Sequence, residues 1–137
     1  MKHYPKWRFI AKALRIRYLL VSLCVGLITG CPAPPIGLAV SDCSISHLKI
    51  QLWQGQNFFG SSMPAPVYSA TFYADVKHYS ELWRIESTKG KELSKLTYGI
   101  VPEGFTGTQA TPLHLNQRVF VSVYGIGFNT LDLTVCK

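Results

Sequence analysis

The run Arg118 to Tyr124 (RVFVSVY) constrains the fold of this chain most. Val119, Val121 and Val123 alternate with Phe120, Ser122 and Tyr124, and a period of two sends one set to each face of a pleated strand. A helix would scatter these residues around its circumference and restrict the β-branched valines. The parity recurs in Ser46 to Trp53 (SHLKIQLW), where Leu48, Ile50 and Leu52 alternate with His47, Lys49 and Gln51. It recurs again in Thr130 to Cys136 (TLDLTVC), with Leu131, Leu133 and Val135 on one side. Val67 to Val76 (VYSATFYADV) has the β-branched and aromatic content of a strand. Glu81 to Ser87 (ELWRIES) sets Trp83 and Ile85 against Arg84 and Glu86. Glu92 to Tyr98 reads equally as a strand or one helical turn, since Leu93 and Leu96 are three apart. Gln54 to Pro66 and Gly99 to Gly107 are rich in loop residues, Lys77 to Ser80 reads as a turn, and Lys89-Gly90 marks a hairpin turn. Short strands at near-regular spacing predict an all-β domain over residues 43–137. The expected form is a small antiparallel β-sandwich of immunoglobulin-like or transthyretin-like type.

The N-terminus has a different character. The chain carries 14 Lys and Arg against 7 Asp and Glu. Lys2, Lys6, Arg8, Lys12, Arg15 and Arg17 precede residue 30 without any acid, which leaves eight basic and seven acidic groups beyond it. The net charge therefore belongs to the leader. A nucleic-acid partner is not expected, because phosphate binding needs clustered cations on the folded domain. Tyr18 to Thr29 (YLLVSLCVGLIT) follows as an uncharged, mostly apolar run with the size of a signal-peptide core. A spanning helix needs about 20 apolar residues, and Pro32, Pro34 and Pro35 interrupt the run before that length of helix is complete.

Leu27-Ile28-Thr29-Gly30-Cys31 closes this run and resembles the lipobox of bacterial lipoproteins. The resemblance implies a diacylglyceryl group on the Cys31 sulfur, cleavage before Cys31, and acylation of the new amino group. Residues 1–30 are then a signal peptide, and 31–42 a lipidated cysteine with a proline-rich tether. Pro32 rather than Asp follows the cysteine, which in such lipoproteins implies release to the outer membrane, facing the periplasm. Two or more acyl chains, at about 0.8 kcal/mol per buried CH₂, anchor stably where one does not. Ordinary cleavage after Ala39-Val40-Ser41 is the competing reading; it lies far beyond the apolar run, and it too exports the domain. No cofactor is expected apart from the covalent lipid.

Of the four cysteines, Cys24 leaves with the signal and Cys31 takes the lipid, so Cys43 and Cys136 remain at opposite ends of the domain. Export to an oxidising compartment favours a disulfide between them. Both fall on the polar parity of their runs, so the bond is expected at the surface. It joins them most easily if the first and last strands are antiparallel neighbours.

A second resemblance lies in Trp83-Arg84-Ile85, Leu96-x-Tyr98-Gly99-x-Val101-Pro102-x-Gly104-Phe105, Pro112-Leu113 and Val119 to Val123. This pattern is similar to a group of small bacterial periplasmic lipoproteins assigned to type VI secretion immunity. It implies a protein partner, a secreted toxin, and carries no catalytic residues. The alternative is an accessory lipoprotein of an envelope or secretion assembly, with an envelope component as partner.

No nucleophile elbow, zinc signature or phosphate loop is present, so a binding protein is expected rather than an enzyme. Asp75-x-x-His78-x-x-Glu81 has metal-ligand donors, but a strand–turn–strand setting would disperse them. His47 and His114 read as surface or packing residues. Aromatics are the remaining candidates, since Tyr and Trp serve as interface anchors or sugar platforms as well as core. Phe58 and Phe59 in a polar loop, with Tyr98 and Phe105 in the turn-rich stretch, are the local choices for partner contact.

Overall fold

A computed structural model of the chain describes residues 34–55, 60–75 and 77–137. Cys31, Phe58 and Phe59 lie outside the described residues. Eight strands are found and, among the described residues, no helix: β1 (Gly37–Asp42), β2 (Lys49–Trp53), β3 (Ala65–Tyr73), β4 (Glu81–Leu93), β5 (Lys95–Thr97), β6 (Thr106–Gly107), β7 (Arg118–Gly125) and β8 (Phe128–Thr134). They form two antiparallel sheets, β1-β2-β5 and β6-β4-β3-β7-β8. Apart from the short β6, the β1-β2-β5 and β4-β3-β7-β8 orders follow the A-B-E and C′-C-F-G connectivity of an immunoglobulin-like sandwich.

The core lies between the sheets and is built by the alternation seen in the sequence. Leu48, Ile50, Leu52 and Leu96 come from the three-stranded side; Val67, Ala70, Phe72, Trp83, Ile85, Val119, Val121 and Val123 come from the five-stranded side, all nearly inaccessible. At its centre the rings of Phe72, Trp83 and Tyr98 meet pairwise at centroid distances of 5.2 to 5.4 Å in tilted or edge-on geometry. Such pairs contribute about 0.5–1.5 kcal/mol each beyond their buried area.

Four expectations are corrected. Gly37–Asp42 is not free tether but β1, paired with β2 from Gly37↔Trp53 to Asp42↔Lys49; Ile36 just before it is fully buried and Leu38 packs on the core. Lys89-Gly90 is no hairpin turn, because β4 runs through to Leu93 over an irregularity in its pairing with β3. Gly90 takes a φ of 66° there with the Tyr68 ring against it. The ambiguous stretch Glu92–Tyr98 is split between the end of β4 and the start of β5. Finally, the first and last strands are not antiparallel neighbours. β1 and β8 belong to different sheets, and the chain beyond them meets in a parallel bridge, Ser44↔Cys136.

The Cys43–Cys136 disulfide is present beside that bridge, with Cα atoms 5.2 Å apart across 93 residues of sequence. The half-buried Cys43 and exposed Cys136 keep it at the surface, where it ties one sheet to the other. β1 and β8 reach it from the opposite end of the sandwich. At that opposite end Asn129 Nδ2 donates to the Ile36 carbonyl at 2.6 Å, and Gln54 Nε2, on a buried side chain, donates to the Pro34 carbonyl at 2.6 Å. Gly125 is required here: a Cβ would run into the Pro66 carbonyl oxygen and the Ile36 side chain.

Candidate binding face

The outward side of the five-stranded sheet is where the alternation leaves aromatic rings uncovered. In register across β3, β7 and β8, Tyr73 opposes Phe120, which opposes Asp132; Thr71 opposes Ser122, which opposes Thr130; Ser69 opposes Tyr124, which opposes Phe128. Since inward residues of β7 are its valines, all these partners share the outer face. The turn between β3 and β4 adds Tyr79, two-thirds exposed, whose ring meets Tyr73 edge-on with centroids 5.7 Å apart.

Together Tyr73, Tyr79, Phe120, Phe128, Ser122 and Thr130 line an open groove of about 250 Å³. Four aromatic rings border it together with the Ser122 and Thr130 side chains. At its margin the Arg118 guanidinium sits 4.9 Å above the Phe120 ring centre. The same guanidinium grips Asp132 through two nitrogens, Nε lying 3.0 and 3.1 Å from the two carboxylate oxygens and Nη2 completing the fork. This pairing holds the Asp132 carboxyl below its ordinary value of 3.8 and raises Arg118. The pair is exposed, so the margin is polar and neutral overall.

The β4–β6 edge is polar instead. Arg84 lies 3.6 Å from Glu81 and 3.3 Å from Glu86, and its backbone accepts and donates bonds with Thr108. Arg84, Glu86, Thr106 and Thr108 border a shallow depression of about 160 Å³.

Of the sequence candidates for partner contact, Tyr98 and Phe105 lie away from this groove. Phe105 is buried in the core. Tyr98 is half-buried, and its hydroxyl lies 2.7 Å from the Thr111 carbonyl and 3.1 Å from that of Leu82; burial pushes its pKa up to about 12. Its position therefore braces the long connection before β7 against β4. Of the possible metal donors, Asp75 and His78 meet at 2.5 Å, while Glu81 turns to Arg84. The His78 bond and the Lys77 amide hold the Asp75 carboxyl below its ordinary value. Among the described residues no group of three donors is placed to hold a metal ion. His47 and His114 are exposed.

The residues of the groove were not selected from sequence, although the outward parity of Phe120 and Tyr124 was legible. Tyr73 and Phe128 join Phe120 only through strand register, and Tyr79 through the turn between β3 and β4. Compared with the models of known protein families, with curated proteins and with solved structures, the chain matches none.

Proposed function

We propose that this is a lipid-anchored protein of the bacterial envelope whose β-sandwich binds another protein, and that the bound partner is a secreted toxin which it neutralises. The anchor follows from the lipobox-like Leu27 to Cys31 and the apolar run before it. The toxin follows from the resemblance of Trp83 to Val123 to periplasmic immunity lipoproteins. The observation that carries the binding role is the one groove bordered by the exposed Tyr79 and Phe128 and the half-buried Tyr73 and Phe120. Exposed aromatics flanked by an arginine are the composition of interface hot spots, and a polar rim such as Arg118–Asp132 adds specificity. A stable complex needs roughly 1,600 Å² of buried surface in total, about 800 Å² from each partner; the groove supplies its centre and the surrounding sheet the rim.

The test is a titration of the protein against secreted proteins encoded beside its gene, with Phe120→Ser and Phe128→Ser as groove variants. Binding by one neighbour, weakened tenfold or more by either variant, with the deletion strain killed when that neighbour reaches the periplasm, supports the reading. Binding that both variants retain in full removes the groove from the account. Loss of an envelope assembly without toxin sensitivity assigns the accessory role instead.

A further inference from the structure

The chain enters the sandwich at a defined place, and that place is surrounded by uncovered apolar side chains. Pro34 and Ile36 are held through their carbonyls by Gln54 and Asn129. A Cβ at Gly127 would lie 3.5 Å from the Pro34 carbonyl oxygen, and one at Gly55 would touch both Met63 and Pro34. The entering strand segment is thus strapped to the hairpin between β7 and β8 on one side and to the end of β2 on the other. On that hairpin Tyr124, Ile126 and Phe128 are 57, 61 and 60% exposed, and Met63 is 43% exposed beside the strap. Tyr124 to Asn129 (YGIGFN) contains no acidic residue.

We propose that this end of the sandwich rests on the lipid bilayer, with Tyr124, Ile126 and Met63 seated among the headgroups and Phe128 left to the groove. The inference rests on the reading of Cys31 as the lipidated residue. Cys31 precedes Pro34 by three residues, and three residues of fully extended chain reach at most about 10–11 Å. An anchored sulfur therefore cannot leave the hairpin far from the membrane. Aromatic and aliphatic side chains together suit the interface, where an apolar body and a hydroxyl are both accommodated, and the lack of acid avoids repulsion by anionic lipids. The six residues of β1 then carry the disulfide end roughly 20 Å away from the surface, and the groove opens sideways between the two ends. The hairpin tip belongs to a docking surface for lipid, distinct from the groove for a protein.

The test uses the full chain matured in cells and reconstituted into vesicles of phosphatidylethanolamine and phosphatidylglycerol doped with a diazirine-bearing phospholipid. Intact mass reports whether Cys31 is acylated, and peptide mapping after illumination reports which residues touch lipid. Labelling concentrated at residues 124–127 and 63, at least fivefold above that at 44–47 and 114–117, is expected. In a Tyr124→Ser, Ile126→Ser double variant, folded by circular dichroism, hairpin labelling should drop to the level of the far end. An acylated protein labelled evenly, or unlabelled at the hairpin because a second copy or another protein covers it, overturns the bilayer contact and leaves the anchor standing. An unacylated Cys31 overturns the anchor and this inference together.

Discussion

Tyr79 stands edge-on to Tyr73 across the turn that joins β3 to β4, their ring planes at 82°. Tyr79 achieves this with a φ of 48°, the left-handed region that side chains with a Cβ enter at a cost of about 1–2 kcal/mol. A large, exposed aromatic is an expensive choice for such a position, where glycine or asparagine would sit without strain. The expectation is that Tyr79→Gly is more stable than Tyr79→Ala by about 1 kcal/mol, since both lose the ring and only one keeps the strain. Urea denaturation of the two variants measures the difference, and equal midpoints would refute it.

Removing the disulfide should cost much of the stability of the domain. For a loop closed across 93 residues, the chain-entropy relation gives about 4–5 kcal/mol. A Cys43→Ala, Cys136→Ala variant is expected to lose that amount in chemical denaturation while retaining the same sheets by circular dichroism. A loss below about 1 kcal/mol would mean that the link does not restrain the unfolded chain.

Acid should destabilise the fold through its paired aspartates. Asp132 is held below its ordinary value of 3.8 chiefly by the Arg118 bond, Asp75 by the His78 bond, and Asp42 by the Ser44 backbone amide. The unfolded chain therefore takes up these protons first as pH falls, so their contribution is complete above 3.8 and is lost below it. Thermal melts should be flat above pH 5 on this account and decline below pH 4, both values being approximate limits about the ordinary carboxyl range. Asp132→Asn should shrink the decline; an undiminished decline would exclude Asp132 as a contributor.

Tyr98 sets the alkaline limit. Its folded pKa of about 12 lies above the ordinary 10.0, so the unfolded chain loses this proton first and stability falls as pH rises from 10 toward 12. Tyr98→Phe removes that dependence and, by leaving the Thr111 carbonyl without its 2.7 Å partner, should cost about 0.5–1.5 kcal/mol at neutral pH. Denaturation midpoints at two pH values separate the effects, and an unchanged alkaline slope in the variant would show that another group controls it.

The strands of the core were legible because their valines and leucines keep strict parity, as in β7 and β2, and parity alone decides which side is buried. β1 was not legible. Gly37 to Asp42 follows two prolines and holds few large side chains; its strand state comes from pairing with β2 and from the Trp53 indole lying over Gly37. Lys89-Gly90 misled for the opposite reason. A glycine that looks like a turn signal is needed because the Tyr68 ring lies within 3.0 Å of where a Cβ would be. Likewise the groove depends on Tyr73, Phe120 and Phe128 meeting in register, and no single run of sequence records how three strands are aligned.

The disulfide has a mechanical consequence. Any tension entering at Pro34 travels along β1 and reaches Cys43, where the covalent link to Cys136 hands it to the end of β8. Stripping β1 from β2 would therefore free only a short leash, from Pro34 to Cys43, while the five-stranded sheet and its aromatic groove keep their shape. A domain fastened this way tolerates being tugged by whatever holds its leading end, because a covalent bond, and not the hydrogen bonds of β1 alone, joins that end to the second sheet.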